Sequence, residues 1–174
     1  SFGAYYGFFA LYLRDLGYSG QQTGLFIALG VLAEVGIFLI AGRLIRTYGV
    51  WNLLFASIAL TAIRWFALGV MAESATVIFI SQLVHALSFG LTHAVSVHFI
   101  HQYLPSSFHS RGQAVYISVA FGFGGALGNY MAGQQWQQGT NAFETFTTAA
   151  IFAAVGALSL LLCAKKAFDE QKNT

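Results

Sequence analysis

Segments of about twenty mostly apolar residues follow one another along almost the whole chain. A helix needs about that length to cross the hydrocarbon layer of a bilayer, because lipid offers backbone groups no hydrogen-bonding partner. Only 8% of the 174 residues are charged and 57% are apolar, whereas about one quarter of a soluble domain is charged. The sequence therefore predicts an all-α integral membrane protein.

Six transmembrane helices are predicted, joined by short loops. Their approximate ranges are 2–16, 22–42, 53–71, 75–102, 111–134 and 142–163. The first is short, and the sequence opens within an apolar stretch without a Met, so we expect the chain to begin inside a longer protein. Residues 1–164 form the predicted six-helix transmembrane domain, and residues 165–174 a polar tail.

The basic residues predict how the helices are oriented in the membrane. Because short loops make neighbouring helices alternate in direction, six of the eight Lys and Arg residues fall on one side of the membrane, Arg14 falls on the other, and Arg64 lies within a helix. The positive-inside rule makes the first side cytoplasmic. We therefore expect a multi-pass protein of the inner (cytoplasmic) membrane with a cytoplasmic C-terminus. The six residues are Arg43, Arg46, Arg111, Lys165, Lys166 and Lys172.

Four ionisable residues lie inside predicted helices: Glu34, Arg64, His85 and His93. A charged side chain at the centre of a membrane helix costs roughly 2.5–3.5 kcal/mol on insertion scales, so each needs a partner or a function. Counting along the helices places Glu34, Arg64 and His93 at overlapping depths. One interpretation is a structural ion pair between Glu34 and Arg64. We favour a substrate-binding and proton-relay site, because polar groups converge there from three helices.

The fourth predicted helix carries a stripe of polar residues on one face, with His93 beside it. Lipid contact would be costly for such a stripe, so it should face other helices or a cavity. Interhelical hydrogen bonding and a water-filled substrate path both fit the pattern. The stripe consists of Ser81, Gln82, His85, Ser88, Thr92 and Ser96.

Metal, haem, enzymatic and nucleic-acid functions have little support in the sequence. His98 and His101 have a spacing that could share a metal, but no nearby Cys, Asp or Glu completes a ligand set. Histidines of one helix cannot clasp a haem from both sides, and no nucleophile with an adjacent base stands out. The scattered basic residues give no nucleic-acid footprint. We expect no cofactor, no metal and no enzymatic activity.

One loop motif resembles a known family. The segment from Gly42 to Gly49, GRLIRTYG, is similar to the degenerate second copy of the loop motif of the major facilitator superfamily, found between helices eight and nine. This resemblance implies that the chain is the C-terminal six-helix half of a twelve-helix transporter. The N-terminal half of the same transporter is then the expected partner, with self-association if the piece is isolated.

Further short segments, spread over nearly the whole chain, resemble the branch of the superfamily that contains the lactose and 3-phenylpropionate permeases. Together they are specific, although each alone is weak. They are Tyr5-Tyr6-Gly7-Phe8, Gly17-Tyr18-Ser19, Leu29-Gly30-Val31, Ala33-Glu34-Val35, Arg64-Trp65, Leu83-Val84-His85, His93 and Gln113-Ala114-Val115-Tyr116.

The resemblance implies roles for the buried ionisable residues. Glu34, Arg64 and His85 resemble the sugar-binding Glu, the Arg and the His of helices eight, nine and ten in that branch, with Glu34 about one turn out of register. Where lactose permease has a proton-carrying Glu, this chain has Ser88. Glu34 is therefore the first candidate for the proton carrier, with His85 and His93 as alternatives. Arg64, His85, His93 and Glu34 are the expected substrate-binding residues.

The function expected from this resemblance is proton-coupled symport of a small organic solute, in particular an aromatic acid such as 3-phenylpropionate. The aromatic residues of the first helix offer ring surfaces to such a substrate, although lipid contact also explains most of them. They are Tyr5, Tyr6, Phe8, Phe9 and Tyr12. A sugar or a nucleoside is an alternative solute. A membrane interaction module or an oligomeric pore is an alternative of another class.

Overall fold

Six helices follow one another through the part of the chain that the structure describes, which is residues 1–163, 165 and 168. The structure is a computed structural model. The helices are α1, Gly3–Asp15; α2, Gly20–Tyr48; α3, Val50–Met71; α4, Ala75–Tyr103; α5, which runs as His109–Ile117, a π-helical segment Ser118–Phe123 and Gly124–Trp136; and α6, Ala142–Leu161.

Four of these helices, α2, α3, α4 and α6, are long and apolar enough to cross a membrane. α1 has 13 residues, fewer than the roughly 17–25 residues of a spanning helix, and α5 is not among the four helices that meet both the length and the hydropathy requirements. The structure thus confirms an all-helical membrane protein.

The boundary between α2 and α3 differs from the prediction. The predicted loop 43–52 was wrong, because α2 continues through Arg43 and Arg46 to Tyr48, and Gly49 alone separates it from α3. Gly49 has a φ of 79°, which a residue without a β-carbon adopts at little cost. Arginines near a helix C-terminus interact favourably with the helix dipole, so the two charges belong to the last turns of the helix and do not mark a loop.

The helices pack in pairs. α3 lies along α6, α2 lies against α4, and α1 lies against the second part of α5. α1 and α5 lie so close together that a β-carbon on Gly3 would overlap the backbone of Gly128. This crossing therefore depends on small residues. Leu13, Trp65 and Phe146 are fully buried where α1, α3 and α6 meet.

Most of the described basic residues lie at one end of the bundle. The C-termini of α2, α4 and α6 and the N-termini of α3 and α5 meet there, and Lys165 Nζ donates to Asn52 Oδ1 at 3.0 Å. Four of the six residues assigned to one side of the membrane lie at this end, which we call the basic end: Arg43, Arg46, Arg111 and Lys165. Lys166, Lys172 and the rest of the predicted tail except Lys165 and Phe168 lie outside the described residues.

α4 contains a feature that the sequence did not predict, a π-helical segment at Ala86–Gly90. Its hydrogen bonds close a wider turn than those of an α-helix, and such segments inside α-helices are frequent at functional sites. Residues on the two sides of it are therefore rotated away from the positions that a regular helix would give them.

Candidate functional site

The polar stripe of α4 faces the other helices, as expected. Its first four members are buried. The part of the stripe around Ser88 and Thr92 forms hydrogen bonds with α3. Thr92 Oγ1 lies 2.8 Å from Ser57 Oγ, and Thr61 Oγ1 lies 3.5 Å from the Ser88 carbonyl oxygen. The Thr92 hydroxyl group therefore joins α4 to α3, whereas the Ser88 hydroxyl group donates within α4 to the His85 carbonyl oxygen at 3.3 Å. Ser81 and His85 contact Arg64.

Glu34, His85 and Arg64 form a continuous chain of polar contacts across three helices. His85 Nε2 lies 2.6 Å from Glu34 Oε1, and His85 Nδ1 lies 2.8 Å from Arg64 Nη1. The side chains of His85 and Glu34 are 4% and 15% exposed, and Arg64 is 2% exposed. Glu34 and Arg64 therefore interact through the imidazole, where the sequence had suggested a direct ion pair.

The partners of His85 determine where its ring carries a proton. A guanidinium only donates hydrogen bonds, so the Arg64 contact requires an unprotonated Nδ1 that accepts. The proton of the neutral ring is then on Nε2, and it is donated to the Glu34 carboxylate. A neutral imidazole thus links a buried cation to a partly buried anion.

Arg64 is held on several sides by α1, α3 and α4. Its Nε donates to Ser81 Oγ at 3.0 Å, and its guanidinium carbon lies 4.6 Å from the ring centre of Tyr5 and 4.3 Å from that of Trp65. A planar, weakly hydrated guanidinium suits such stacking. The fixed position of Arg64 in turn fixes the orientation of the His85 ring.

Three buried donors beside Arg64 have no hydrogen-bond partner among the described residues: Arg64 Nη2, Trp65 Nε1 and Gln82 Nε2. The other end of the Gln82 amide is occupied, because Tyr5 donates its hydroxyl proton to Gln82 Oε1 at 2.8 Å. Buried donors are nearly always paired in proteins. These donors therefore provide unused hydrogen-bonding capacity next to the charged chain.

Two glycines allow α2 and α4 to meet at this point. A β-carbon on Gly30 would stand 2.9 Å from Gln82 Oε1 and 3.4 Å from His85 Cδ2. A β-carbon on Gly90, in the π-helical segment, would stand 3.3 Å from Glu34 Cγ. Each helix thus omits a side chain where the other places a polar one, which brings Glu34 within reach of His85.

Two neighbouring cavities lie at this part of the protein, and the Glu34–His85–Arg64 contacts border the first of them. The first, of about 210 Å³, is lined by Glu34 and His85 together with residues of α1 and α2. The second, of about 510 Å³, is lined by His93 and by polar and aromatic residues of α1, α4 and α5. Tyr6 lines both cavities, so the two lie side by side. We call them the charged cavity and the central cavity.

The aromatic ring of Phe89 connects the two histidines of α4. It stacks on His85 with ring centres 5.3 Å apart and an angle of 2°, and it faces His93 with centres 6.4 Å apart and an angle of 11°. The π-helical segment contains Phe89 and lies between the histidines, so its wider turn helps to align the three rings. Tyr116 of α5 approaches His93, with its hydroxyl oxygen 3.4 Å from Nδ1.

The sequence matches the MFS_1 like family over residues 1–148. The chain belongs to this family of the major facilitator superfamily. The match covers most of the chain and includes Glu34, Arg64 and His85. The resemblance noted from the loop motif and the short segments is thereby confirmed.

Two relatives of this MFS_1 like chain are transporters by name. This chain is 34% identical over 136 residues to the "Probable 3-phenylpropionic acid transporter" of Escherichia coli (strain K12). That alignment covers 77% of this chain and 35% of the relative. It is 26% identical over 163 residues to the "Maltose permease" of Geobacillus stearothermophilus, covering 91% of this chain and 40% of the relative. The chain thus spans well under half the length of either relative. No solved structure matches it.

The family and both relatives are transporters, which confirms that this MFS_1 like chain is not an enzyme. Among the described residues no group of three or more His, Cys, Asp or Glu side chains could hold a metal ion. His101, one half of the possible metal pair, instead contacts Gln113 and stacks on His109.

The structure brings together three of the four predicted site residues of this MFS_1 like chain. Glu34, His85 and Arg64 form the chain of contacts, whereas His93 lies on the central cavity and contacts Tyr116. Arg64 lines neither the charged nor the central cavity.

Two participants in the site, Tyr5 and Gln82, were not recognised from the sequence. Tyr5 was assigned mainly to lipid contact, and Gln82 was noted only as part of the stripe. Their contact joins α1 to α4, and a polar ring at the start of an aromatic helix was the one signal that could have indicated it.

Proposed function

We propose that the full-length protein is a proton-coupled secondary transporter of small organic anions, and that this chain is its C-terminal six-helix half. The observation that carries the proposal is the chain Glu34–His85–Arg64, buried beside the charged cavity. Buried ionisable groups in membrane proteins are costly and mark proton and substrate pathways. In this proposal α1 and α5 also cross the membrane, shielded by the other helices and by a second half.

Proton coupling follows from the charge balance of this chain of contacts. With Glu34 ionised, the buried site contains one cation, one anion and a neutral imidazole. A proton taken up by Glu34 removes the anion and leaves a net positive charge on Arg64 and its bridged histidine. An anionic solute in the neighbouring cavity then restores neutrality, so proton binding and anion binding favour each other.

Arg64 acts on the solute at a distance in this scheme, since it lines neither cavity. His85 and Glu34 line the charged cavity and His93 lines the central cavity, so these three are the proposed contacts with the solute. The unpaired donor groups of Arg64 and Gln82 become available if α1 and α4 move apart when the transporter changes conformation.

An aromatic acid is the solute that the central cavity fits best. Its volume of about 510 Å³ falls within the range of small-molecule sites. Phe2, Tyr6, Phe89 and Phe121 give it aromatic walls, and His93 gives it a polar group. Such walls suit a flat apolar body with one charged end, and one relative is named for 3-phenylpropionic acid.

A sugar is the second candidate, because the central cavity also carries Thr92, Ser96 and Asn129. Hydroxyl and amide groups of this kind bind sugar hydroxyls, and the other relative is named a maltose permease. The positively charged state of the site after protonation favours the anion over a neutral sugar.

The proposed cycle is alternating access. Two six-helix halves rock about a site near the middle of the membrane and open it to one side at a time. The positive-inside rule orients the basic end, and with it the C-terminus, towards the cytoplasm. The cavity faces of α1, α4 and α5 are then covered by the second half.

The test is transport by the full-length protein in proteoliposomes with an imposed pH gradient. We expect radiolabelled 3-phenylpropionate to accumulate when the outside is acidic, and accumulation to stop when an ionophore collapses the gradient. Radiolabelled maltose serves as the comparison solute. Accumulation of maltose alone would show that the solute is a sugar and not an organic anion. If neither solute moved, with or without a gradient, the result would contradict the proposal.

A further inference from the structure

A third cavity, of about 570 Å³, lies at the basic end between α3, α4 and α5. Its walls are almost wholly apolar, from residues such as Leu54, Phe99 and Val115, and among the described residues the charged one that lines it is Arg111. Arg111 is exposed, and its guanidinium carbon lies 5.5 Å from the ring centre of Phe108. The cavity thus combines an apolar interior with a cation at the surface of the bundle.

The three cavities form a row along α4. The charged cavity borders His85, the central cavity borders Phe89 to Ser96, and the basic-end cavity borders Ser96 to Leu104. At 1.5 Å per residue, the distance from His85 to the basic end of α4 is roughly 27 Å. Neighbouring cavities share wall residues, which are Tyr6 between the first two and Ser96 with Tyr116 between the last two.

Tyr116 separates the central cavity from the basic-end cavity. Its ring centre lies 5.7 Å from that of His93 and 5.8 Å from that of Phe121, and its hydroxyl group contacts His93. The π-helical segment Ser118–Phe123 begins two residues later. Such segments inside α-helices are frequent at functional sites, and a change in this turn of α5 would move Tyr116.

We propose that the basic-end cavity is a vestibule for the transported solute, in which Arg111 attracts the anionic group and the apolar walls hold the organic body. Tyr116 divides this vestibule from the central cavity, and its displacement joins the two. The chemical class of the solute, a small organic anion with an apolar body, rests on the proposed function. The division of the path by Tyr116 rests on the geometry of the three cavities alone.

Cysteine accessibility tests the division of the path independently of transport. The native Cys163 is exposed just after α6 at the basic end, so its labelling by an impermeant maleimide in membrane vesicles identifies which face presents that end. Cys163→Ser, with every cysteine in the rest of the full-length protein also replaced by Ser, then provides a background for Ala120→Cys. Ala120 lines the central cavity, one helical turn beyond Tyr116.

We expect Tyr116→Ala to raise the rate of labelling of the cysteine at position 120, from the basic-end face, by at least tenfold. Tyr103→Ala is the matched control, because Tyr103 lines the basic-end cavity but not the central one, and it should leave that rate unchanged. Tyr116→Phe keeps the ring and should stay close to the parent. Equal rates for Tyr116→Ala and Tyr103→Ala would overturn the division of the path.

Solute protection tests the occupant of the vestibule. In the Cys163→Ser background, Val115→Cys places a thiol on its wall. We expect 3-phenylpropionate to slow maleimide labelling at this position. Arg111→Gln should raise the concentration of 3-phenylpropionate that gives half-maximal protection by at least fivefold. Protection by phosphatidylglycerol in the vesicle, with none from 3-phenylpropionate, would instead identify a lipid site and overturn the proposal. Protection without transport would contradict the proposed function while leaving the vestibule in place.

Discussion

Arg64 Nη1 lies 2.8 Å from His85 Nδ1, on the opposite side of the ring from the Glu34 carboxylate. A second proton on this imidazole would place two donors against each other, so His85 cannot become an imidazolium while Arg64 remains where it is. Glu34 is then the group that can accept a proton without breaking the chain. His85 connects the protonation state of Glu34 to the position of Arg64.

Replacing the proton carrier should separate accumulation from exchange. Glu34→Gln keeps an oxygen that accepts from His85 but cannot take up a proton. We expect it to abolish accumulation of 3-phenylpropionate driven by a pH gradient, while exchange of internal for external solute continues at a rate within a few fold of the parent. Radiolabel uptake and counterflow in proteoliposomes measure the two activities.

The matched control for this variant is Glu73→Gln, the same substitution at an exposed residue of the turn between α3 and α4. It should leave both activities unchanged. Accumulation by the Glu34→Gln protein at the level of the parent would remove Glu34 from the coupling mechanism.

Removing the buried cation should destabilise the protein strongly. Arg64→Gln leaves Glu34 ionised beside a histidine that has lost its donor, and breaking a buried charge pair costs about 3–5 kcal/mol. The exposed Arg14→Gln, whose side chain is 70% accessible, should change stability by less than about 0.5 kcal/mol. Reversible unfolding in detergent measures both variants.

A double variant distinguishes charge compensation from lost packing. If the cost of Arg64→Gln comes from an uncompensated Glu34, then adding Glu34→Gln should recover at least about 1 kcal/mol, since interacting residues are not additive. Strict additivity of the two substitutions would show that the three-residue chain is not an energetic unit.

The close approach of α2 and α4 should be sensitive to a single methyl group. Gly30→Ala places a β-carbon 2.9 Å from Gln82 Oε1, and we expect a loss of about 1–3 kcal/mol from overpacking. Gly36→Ala lies on the same helix with no atom within 4 Å, and it should be neutral or stabilising by up to about 1 kcal/mol. Thermal unfolding compares the pair, and equal effects would contradict the packing described for Gly30.

Transport of a monovalent anion should be electrically neutral, because one proton enters the site with one negative charge. A net charge moved across the membrane would gain about 2.3 kcal/mol per 100 mV. We therefore expect a potassium diffusion potential, without a pH gradient, to drive no accumulation of 3-phenylpropionate in proteoliposomes. Accumulation that follows the imposed potential would mean that more than one proton moves with each solute.

The membrane class and the identity of the buried charged residues could be predicted from local sequence. Long apolar segments require a membrane, and an ionisable residue such as Arg64 within one requires a partner. Helix ends were less predictable, because Arg43 and Arg46 continue α2 and only Gly49 interrupts it. Charge marks the end of a membrane segment but not the end of a helix.

The bridging role of His85 could not be predicted, because it depends on contacts between helices. The depth of each residue follows from counting along its own helix, whereas the rotation of α4 beyond Gly90 follows from the π-helical segment. Residues four apart share one face of a regular helix, and the wider turn of that segment brings the rings of His85, Phe89 and His93 closer to parallel. The widening of one helical turn has no simple sequence signal.

The sequence by itself determined that this chain belongs in a bilayer, that the four ionisable residues within its apolar segments need partners, and that its fourth helix has a polar face. These properties depend on the cost of placing each group in hydrocarbon, which is a property of the residue and its segment. Only the tertiary structure decided that Glu34 reaches Arg64 through His85 and that His93 belongs to a separate cavity. Those outcomes depend on how closely Gly30 and Gly90 let two helices approach, and packing between helices is decided by all of their side chains at once.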